Sequence, residues 1–158
     1  MPSSNGASLP WTATVAERTR RFADVKAYLI RRLTGRFATE PSIAASTQLL
    51  NCRSREWDET LLDAAGVDAE QLPTVAEGSR VLAELDASAA DELGLEEGVK
   101  LVPGVYDGGA ILPGTGGLTE ETGVCNLGTS AMLRACVDRP ALDDPAQARI
   151  QAYPLLPG

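Results

Sequence analysis

The sequence predicts an α/β protein, and three observations carry that prediction. Between Val15 and Leu33 the apolar residues Phe22, Val25, Tyr28, Leu29 and Leu33 recur at helical spacing. From Gly98 onward the pattern changes to short apolar, β-branched runs, first "GVKLVPGVYD" and then "GVCNL". Between that second run and "AMLRACV" stand Gly128, Thr129 and Ser130, the composition of a tight hairpin turn. The strands are few and late, the leading helix has no sheet before it, and no closing helix follows the last strand. The pattern is that of a segment of a larger fold.

Taken in order, the first ten residues are rich in Ser, Gly and Pro and read as loose. The helix over Val15–Leu33 stops at Gly35. "FATEPSIAASTQLLN" is predicted extended or turn-like around Pro41, because the residue before a proline avoids helical backbone angles. "SREWDETLLDAAG" is a short helix with Ser54 as N-cap, acidic residues in its first turns and Gly66 as its stop. "DAEQLP" is a further turn ended by Pro73, and "ASAADELGL" a third helical piece closed by Gly94. "GVKLVPGVYD" is predicted as a buried strand ending at Asp107. Val124–Leu127 and Ala131–Val137 are two strands joined at Gly128-Thr129-Ser130. The final "IQAYPLLPG" opens another strand, and no internal repeat is present.

Composition excludes several function classes. The chain has 158 residues, a size for one domain or parts of two, and its 44% hydrophobic content supports a core. A net charge of −8 argues against nucleic acid or an anionic membrane as the main partner, since both require clustered Lys and Arg. The basic residues between Glu17 and Arg36 alternate with apolar ones, as on a solvated helix face. Histidine is absent, which excludes Ser-His-Asp and Cys-His centres and removes the commonest metal ligand. Cys52, Cys125 and Cys136 form no C-x-x-C pair and read as buried apolar residues in a reducing compartment. No apolar run reaches the roughly 18 residues of a spanning helix, and the N-terminus lacks the charged and apolar regions of a secretory signal. The expected location is the cytoplasm.

Two segments carry candidate chemistry. In "GVYDGGAILPGTGG" a lone carboxylate, Asp107, stands at a strand end before two glycines, where open α/β sheets place active groups and a ligand can approach the backbone. The same aspartate could simply cap the next helix. The Gly128-Thr129-Ser130 turn is either hairpin geometry alone or an anion cradle of backbone amides and two hydroxyls. "GTGGLT" fails the dinucleotide-binding pattern at its last position, and no Walker-type loop occurs. Glu56, Asp58, Glu59 and Asp63 read as a solvated helix face, and Trp57 as a core anchor.

Order and spacing together resemble a known family. "KAYLIRRLTGRFATEPSIAASTQLLNCRSREWDETLLDAAGVDAEQLP" (Lys26 to Pro73), then "ADELGLEEGVKLVPGVYDGG", then "GVCNLGTSAMLRACVDRP" resemble the FGGY carbohydrate kinases, which include gluconokinases, xylulokinases and glycerol kinases. The likeness runs from Ala16 to Arg139. It implies part of an actin-like, ribonuclease-H-like ATPase fold: the end of a first, sugar-binding domain and the start of a second, ATP-binding one. Residues 1–14 are then a loose segment, 15–121 the back of the first domain, and 122–158 the beginning of the second.

Carried over residue by residue, Asp107 matches the general base that takes the proton of the attacking sugar hydroxyl, and Gly128, Thr129 and Ser130 match the hairpin that contacts ATP phosphates. The resemblance implies ATP, with Mg²⁺ in the complete enzyme, and a carbohydrate acceptor, gluconate-like first and xylulose-like second. No sugar-contacting or metal-holding residue is assigned in this chain; the resemblance also allows a homodimer in the complete enzyme. Three positions depart from the family pattern: Glu40-Pro41 for Asp-Tyr, Tyr106 before the base, and Pro113 in the helix after it. The family's D-x-G-T-[ST] hairpin and its adenosine-binding glycine motif do not occur in these residues. The expectation is a kinase segment that is inactive alone; the other reading is a non-catalytic remnant serving as a scaffold or interaction module.

Overall fold

The computed structural model describes residues 18–140 and 150–155. The expected loose segment 1–14, the residues up to 17 and the end of the chain from 156 lie outside them. Five α-helices and eight strands alternate along the described residues: α1 (Val25–Thr34), β1 (Ala38–Thr39), α2 (Pro41–Ser46), β2 (Leu50–Asn51), β3 (Glu56–Trp57), α3 (Glu59–Ala65), β4 (Thr74–Val75), β5 (Ala83–Glu84), α4 (Ala87–Leu93), β6 (Lys100–Leu101), α5 (Asp107–Gly114), β7 (Gly123–Leu127) and β8 (Ala131–Ala135). A 3₁₀ turn at Ala69–Gln71 precedes β4. The strands pair two by two: β1 runs parallel to β4, while β2–β3, β5–β6 and β7–β8 are antiparallel. Among the described residues no helix is long and apolar enough to cross a membrane.

Helix α1 is shorter than its apolar spacing suggested. Asp24 is its N-cap, with its carboxylate accepting the Ala27 amide at 2.9 Å, and Phe22 is held outside the helix by a backbone bond to Gln71. Gly35 closes it in the left-handed region at φ 69°, as expected of a C-terminal glycine. The face that α1 turns inward, onto β1 and α4, is Ala27, Ile30 and Thr34; Val25, Tyr28 and Leu29 from the predicted stripe are exposed. The guanidinium of Arg21 sits 4.9 Å, and that of Arg31 5.9 Å, from the ring centre of Phe37, so two of the clustered cations cover an aromatic ring.

Pro41 begins a helix instead of a turn. Glu40 before it is extended (φ −126°, ψ 163°), as a residue preceding proline should be, and Pro41 takes the first helical position, where its missing N–H costs nothing. The Glu40 carboxylate caps α2 by accepting the amides of Ser42 at 2.7 Å and Ile43 at 3.1 Å. It is 1% exposed and pairs with Lys26 of α1 at 2.9 Å.

Helix α3 starts four residues later than Ser54 would have it. Trp57 is drawn into a strand by pairing with Leu50, and Asp58 becomes the N-cap, accepting the amides of Thr60 and Leu61. Gly66 and Gly94 close α3 and α4 as expected. Trp57 anchors the core: its indole donates to the Pro73 carbonyl at 2.9 Å and packs on Ala44, Ala45 and Leu50, with Cys52, Val75 and Tyr153 around them. Glu56, Glu59 and Asp63 lie exposed. Residues 150–155 form no strand; Tyr153 instead faces Tyr106, ring centres 4.9 Å apart.

The three cysteines are free, and their expected burial is corrected: Cys125 is exposed, while Cys52 and Cys136 are half-buried. Burial pushes the Cys52 thiol up from its usual value, so less of it is thiolate near neutral pH. Alkylation followed by peptide mass spectrometry at pH 7.5 is expected to modify Cys125 first and Cys52 much more slowly, the gap narrowing as pH rises. A second expectation concerns the buried pair. Lys26→Met leaves the Glu40 carboxylate without its cation and costs about 3 kcal/mol of stability; a loss below about 1 kcal/mol in denaturant melts, the range of a surface pair, counts against it.

Candidate active site

The strand expected to run into Asp107 stops at Leu101. Pro103 has no N–H to donate to a ladder, and Gly104 turns the chain at φ 71°. Gly104 also donates to the Gly78 carbonyl at 2.9 Å, and a β-carbon on Gly78 would meet the Gly104 oxygen at 2.3 Å, so the two backbones touch directly. Five residues of loop therefore separate the strand from Asp107, which is exposed and forms the first residue of α5.

What fixes Asp107 is a hydrogen bond from the far side of the sequence. The Tyr106 amide donates to the Ser42 hydroxyl at 3.0 Å, and that hydroxyl in turn donates to the Glu40 carboxylate at 2.7 Å. The backbone immediately before Asp107 is thus tied to the buried Glu40–Lys26 pair. The capping alternative is met only in part: Tyr106 is the N-cap residue and makes no side-chain cap, while Asp107 accepts the amide of its own neighbour, Gly108, at 2.7 Å. Oxygen Oδ2 is left for other partners. Pro113 does not prevent a helix here; it sits in the last turn of α5, which ends one residue later at Gly114.

The Gly128-Thr129-Ser130 turn joins β7 and β8 as expected, with the Gly128 amide donating to the Ser130 carbonyl at 3.1 Å and all three residues exposed. β8 ends at Ala135, two residues short of the expected Val137. No hydrogen bond joins this turn to Asp107. The hairpin meets α5 and the turn after it through its body instead: a β-carbon on Gly117, three residues past the end of α5, would lie 2.6 Å from Val124, and one on Gly108 in its first turn 3.0 Å from the Arg134 guanidinium. Val124 and Arg134 are cross-strand partners, so one face of the hairpin covers α5. Tyr153 completes this corner. Burial and the neighbouring Tyr106 hold its phenol above the ordinary value, and Arg134 pulls it down.

Two clefts, of about 340 and 350 Å³, are lined by residues including Trp57 and Pro73, and Phe37 and Leu82; Asp107 lines neither. Among the described residues no group of three carboxylate or thiol side chains is placed to hold a metal ion. The carboxylates of the described residues do not assemble into a ligand set for Mg²⁺. The turn's exposed hydroxyls do fit contact with a phosphate.

Glu40, Ser42 and Arg134 were not singled out as site residues from the sequence. Only the departure at Glu40-Pro41 hinted at the first.

Residues 11–113 match the family model described as the N-terminal domain of the FGGY family of carbohydrate kinases. A gluconokinase of Bacillus subtilis is 23% identical over 141 residues, 89% of this chain and 27% of its own. A xylulose kinase of Lactococcus lactis is 34% identical over 121 residues, 77% of this chain and 24% of its own. The crystal structure of gluconate kinase from Lactobacillus acidophilus superposes on 85% of this chain with a TM-score of 0.76 at 31% identity. That match spans 28% of the gluconate kinase, and the chain spans about a quarter of the length of the curated relatives it matches. The structure is a mixed helix-and-strand part of that actin-like ATPase fold.

Proposed function

The chain belongs to the FGGY family of carbohydrate kinases, and from that premise we propose that it carries the general base and one phosphate-contacting turn of an ATP-dependent sugar kinase. The observation that carries the reading is the anchoring of Asp107: an exposed carboxylate on a segment pinned through Tyr106 and Ser42 to a buried ion pair. A base must meet the attacking hydroxyl in one geometry, and a tethered helix start supplies that better than a free loop.

In this reading Asp107 accepts the proton of the acceptor hydroxyl as its oxygen attacks the γ-phosphorus of ATP, while Gly128, Thr129 and Ser130 contact the phosphates. Residues 15–121 belong to the sugar-binding domain and 122–158 to the ATP-binding one. Mg²⁺ supplies charge neutralisation when bound, through residues other than those described here. The acceptor is a sugar or sugar acid, gluconate-like first and xylulose-like second, and the setting is the cytoplasm. A non-catalytic interaction module is the second reading, favoured by the bare apolar residues of the hairpin, Leu127 (78% exposed) and Leu133 (77% exposed).

Two experiments separate these readings. Residues 18–140 are grafted into the Lactobacillus acidophilus gluconate kinase in place of the segment they superpose on, and gluconate-dependent ATP consumption is followed. Asp107→Asn in that graft is expected to lower kcat by about 10²–10⁴, the usual worth of a positioned base, with ATP binding unchanged. A variant that keeps most of its turnover removes Asp107 from the role. The chain of 158 residues by itself is expected to show no sugar-dependent ATP consumption with gluconate, xylulose or glycerol and Mg²⁺. One base and one turn do not neutralise a multiply charged phosphate. Turnover well above an Asp107→Asn control overturns that expectation.

A further inference from the structure

Arg134 is placed at the candidate site without an anion to serve. It lies on β8 opposite Val124, on the hairpin face that covers α5, and its guanidinium reaches the first turn of α5. Nη2 is 3.0 Å from where a β-carbon on Gly108 would stand, so glycine at 108 leaves space for the guanidinium beside the Tyr106 ring, one residue along the chain from Asp107. Nη1 is buried with no hydrogen-bond partner, and no described residue makes an ion pair or hydrogen bond with this side chain. The want of a partner is not a want of acids: the chain has 22 Asp and Glu against 14 Lys and Arg. A buried donor left unmet costs free energy, which a paired anion would offset.

We propose that Arg134 selects an acceptor that carries a carboxylate, a polyhydroxy acid, by pairing its guanidinium fork with that carboxylate while Asp107 faces a hydroxyl of the same molecule. The proposal rests on the kinase reading above and names its substrate class. The shared chemistry is an oxyanion, which the sugar acid or the nucleotide phosphates could each provide. Position favours the acid. The phosphate-contacting turn ends at Ser130, and four strand residues at about 3.4 Å each put Arg134 roughly 14 Å down the hairpin from it, against the first turn of α5. Arginine suits the role because two parallel N–H donors match a carboxylate, and its charge persists at any working pH.

The test reads binding and needs no turnover. The ¹⁵N-labelled chain is titrated with gluconate, xylulose and inorganic phosphate, following the Arg134 side-chain Nε–H and the Gly108 and Gly109 amides. Gluconate is expected to shift all three signals saturably, with xylulose and phosphate leaving them in place at equal concentration. Arg134→Met is expected to abolish the response and raise Tm, since it removes an unmet buried donor. Arg134→Lys keeps the fold and the charge but weakens gluconate binding by about tenfold or more, the loss of a charge-assisted hydrogen bond. A response to phosphate with gluconate silent, no response to either, or an unchanged gluconate response in Arg134→Met each overturns the proposal. The two readings fail separately. A silent titration leaves a kinase for neutral sugars intact, whereas an active Asp107→Asn graft removes the base and leaves the carboxylate site standing.

Discussion

Burying the carboxylate of Glu40 commits much of the chain around it. An acidic group with 1% of its surface exposed has to find donors on every side, and they come from separated parts of the sequence: the Lys26 ammonium from α1, the Ser42 and Ile43 amides from α2, and the Ser42 hydroxyl. Because that hydroxyl also accepts the Tyr106 amide, the demand reaches a third helix. Asp24 works alongside it at the same junction, capping α1 with one oxygen and accepting the Thr39 hydroxyl with the other. The apolar core near these groups is modest, consisting largely of alanines with Ile30, Leu50, Leu62 and Leu112. Polar contacts of this kind set the relative placement of α1, α2 and α5 more closely than shape-filling by alanines can.

This arrangement gives the candidate site two supports of different character. Behind Asp107 lies a chain of hydrogen bonds ending in a buried ion pair. In front, the β7–β8 hairpin leans on α5 through Arg134 and on the turn after it through Val124, with the Tyr106 and Tyr153 rings tilted against each other at the corner. The first fixes where the carboxylate stands. The second fixes what stands beside it, and Gly108 and Gly109 make room for those neighbours, since a β-carbon on either would fall within 3 Å of the Tyr106 ring.

Much of this was legible in the sequence where a local rule decided the outcome. Gly35, Gly66 and Gly94 each end a helix in the left-handed region, and the Gly128-Thr129-Ser130 hairpin forms where its turn residues stand. The misreadings occurred where two local rules competed. Ser54 and Asp58 are both good N-caps, and the pairing of Leu50 with Trp57 chose between them. Pro41 is compatible with a turn or with a first helical position, and the Glu40 cap chose the helix. "GVKLVPGVYD" has strand composition, but Pro103 and the backbone contact between Gly78 and Gly104 divert it. Asp107 could be picked out because it is isolated among small residues. Its anchor could not, because a bond between positions 42 and 106 leaves no periodic trace in either segment.

That separation has a consequence for time. The partners of the Ser42–Tyr106 bond stand 64 positions apart, and Cys52 stands 100 positions from the Ala152 carbonyl it meets. The Glu40 cap on α2 closes over two or three residues and forms on the submicrosecond scale of a single helical turn. The Tyr106 tether waits until a chain segment many times longer has been looped back, with its closure entropy paid by contacts already made. During synthesis at about 5–20 residues per second, the segment bearing the carboxylate follows the receiving hydroxyl by several seconds. The site therefore joins a segment made early to one made late, and it is complete only when both are present.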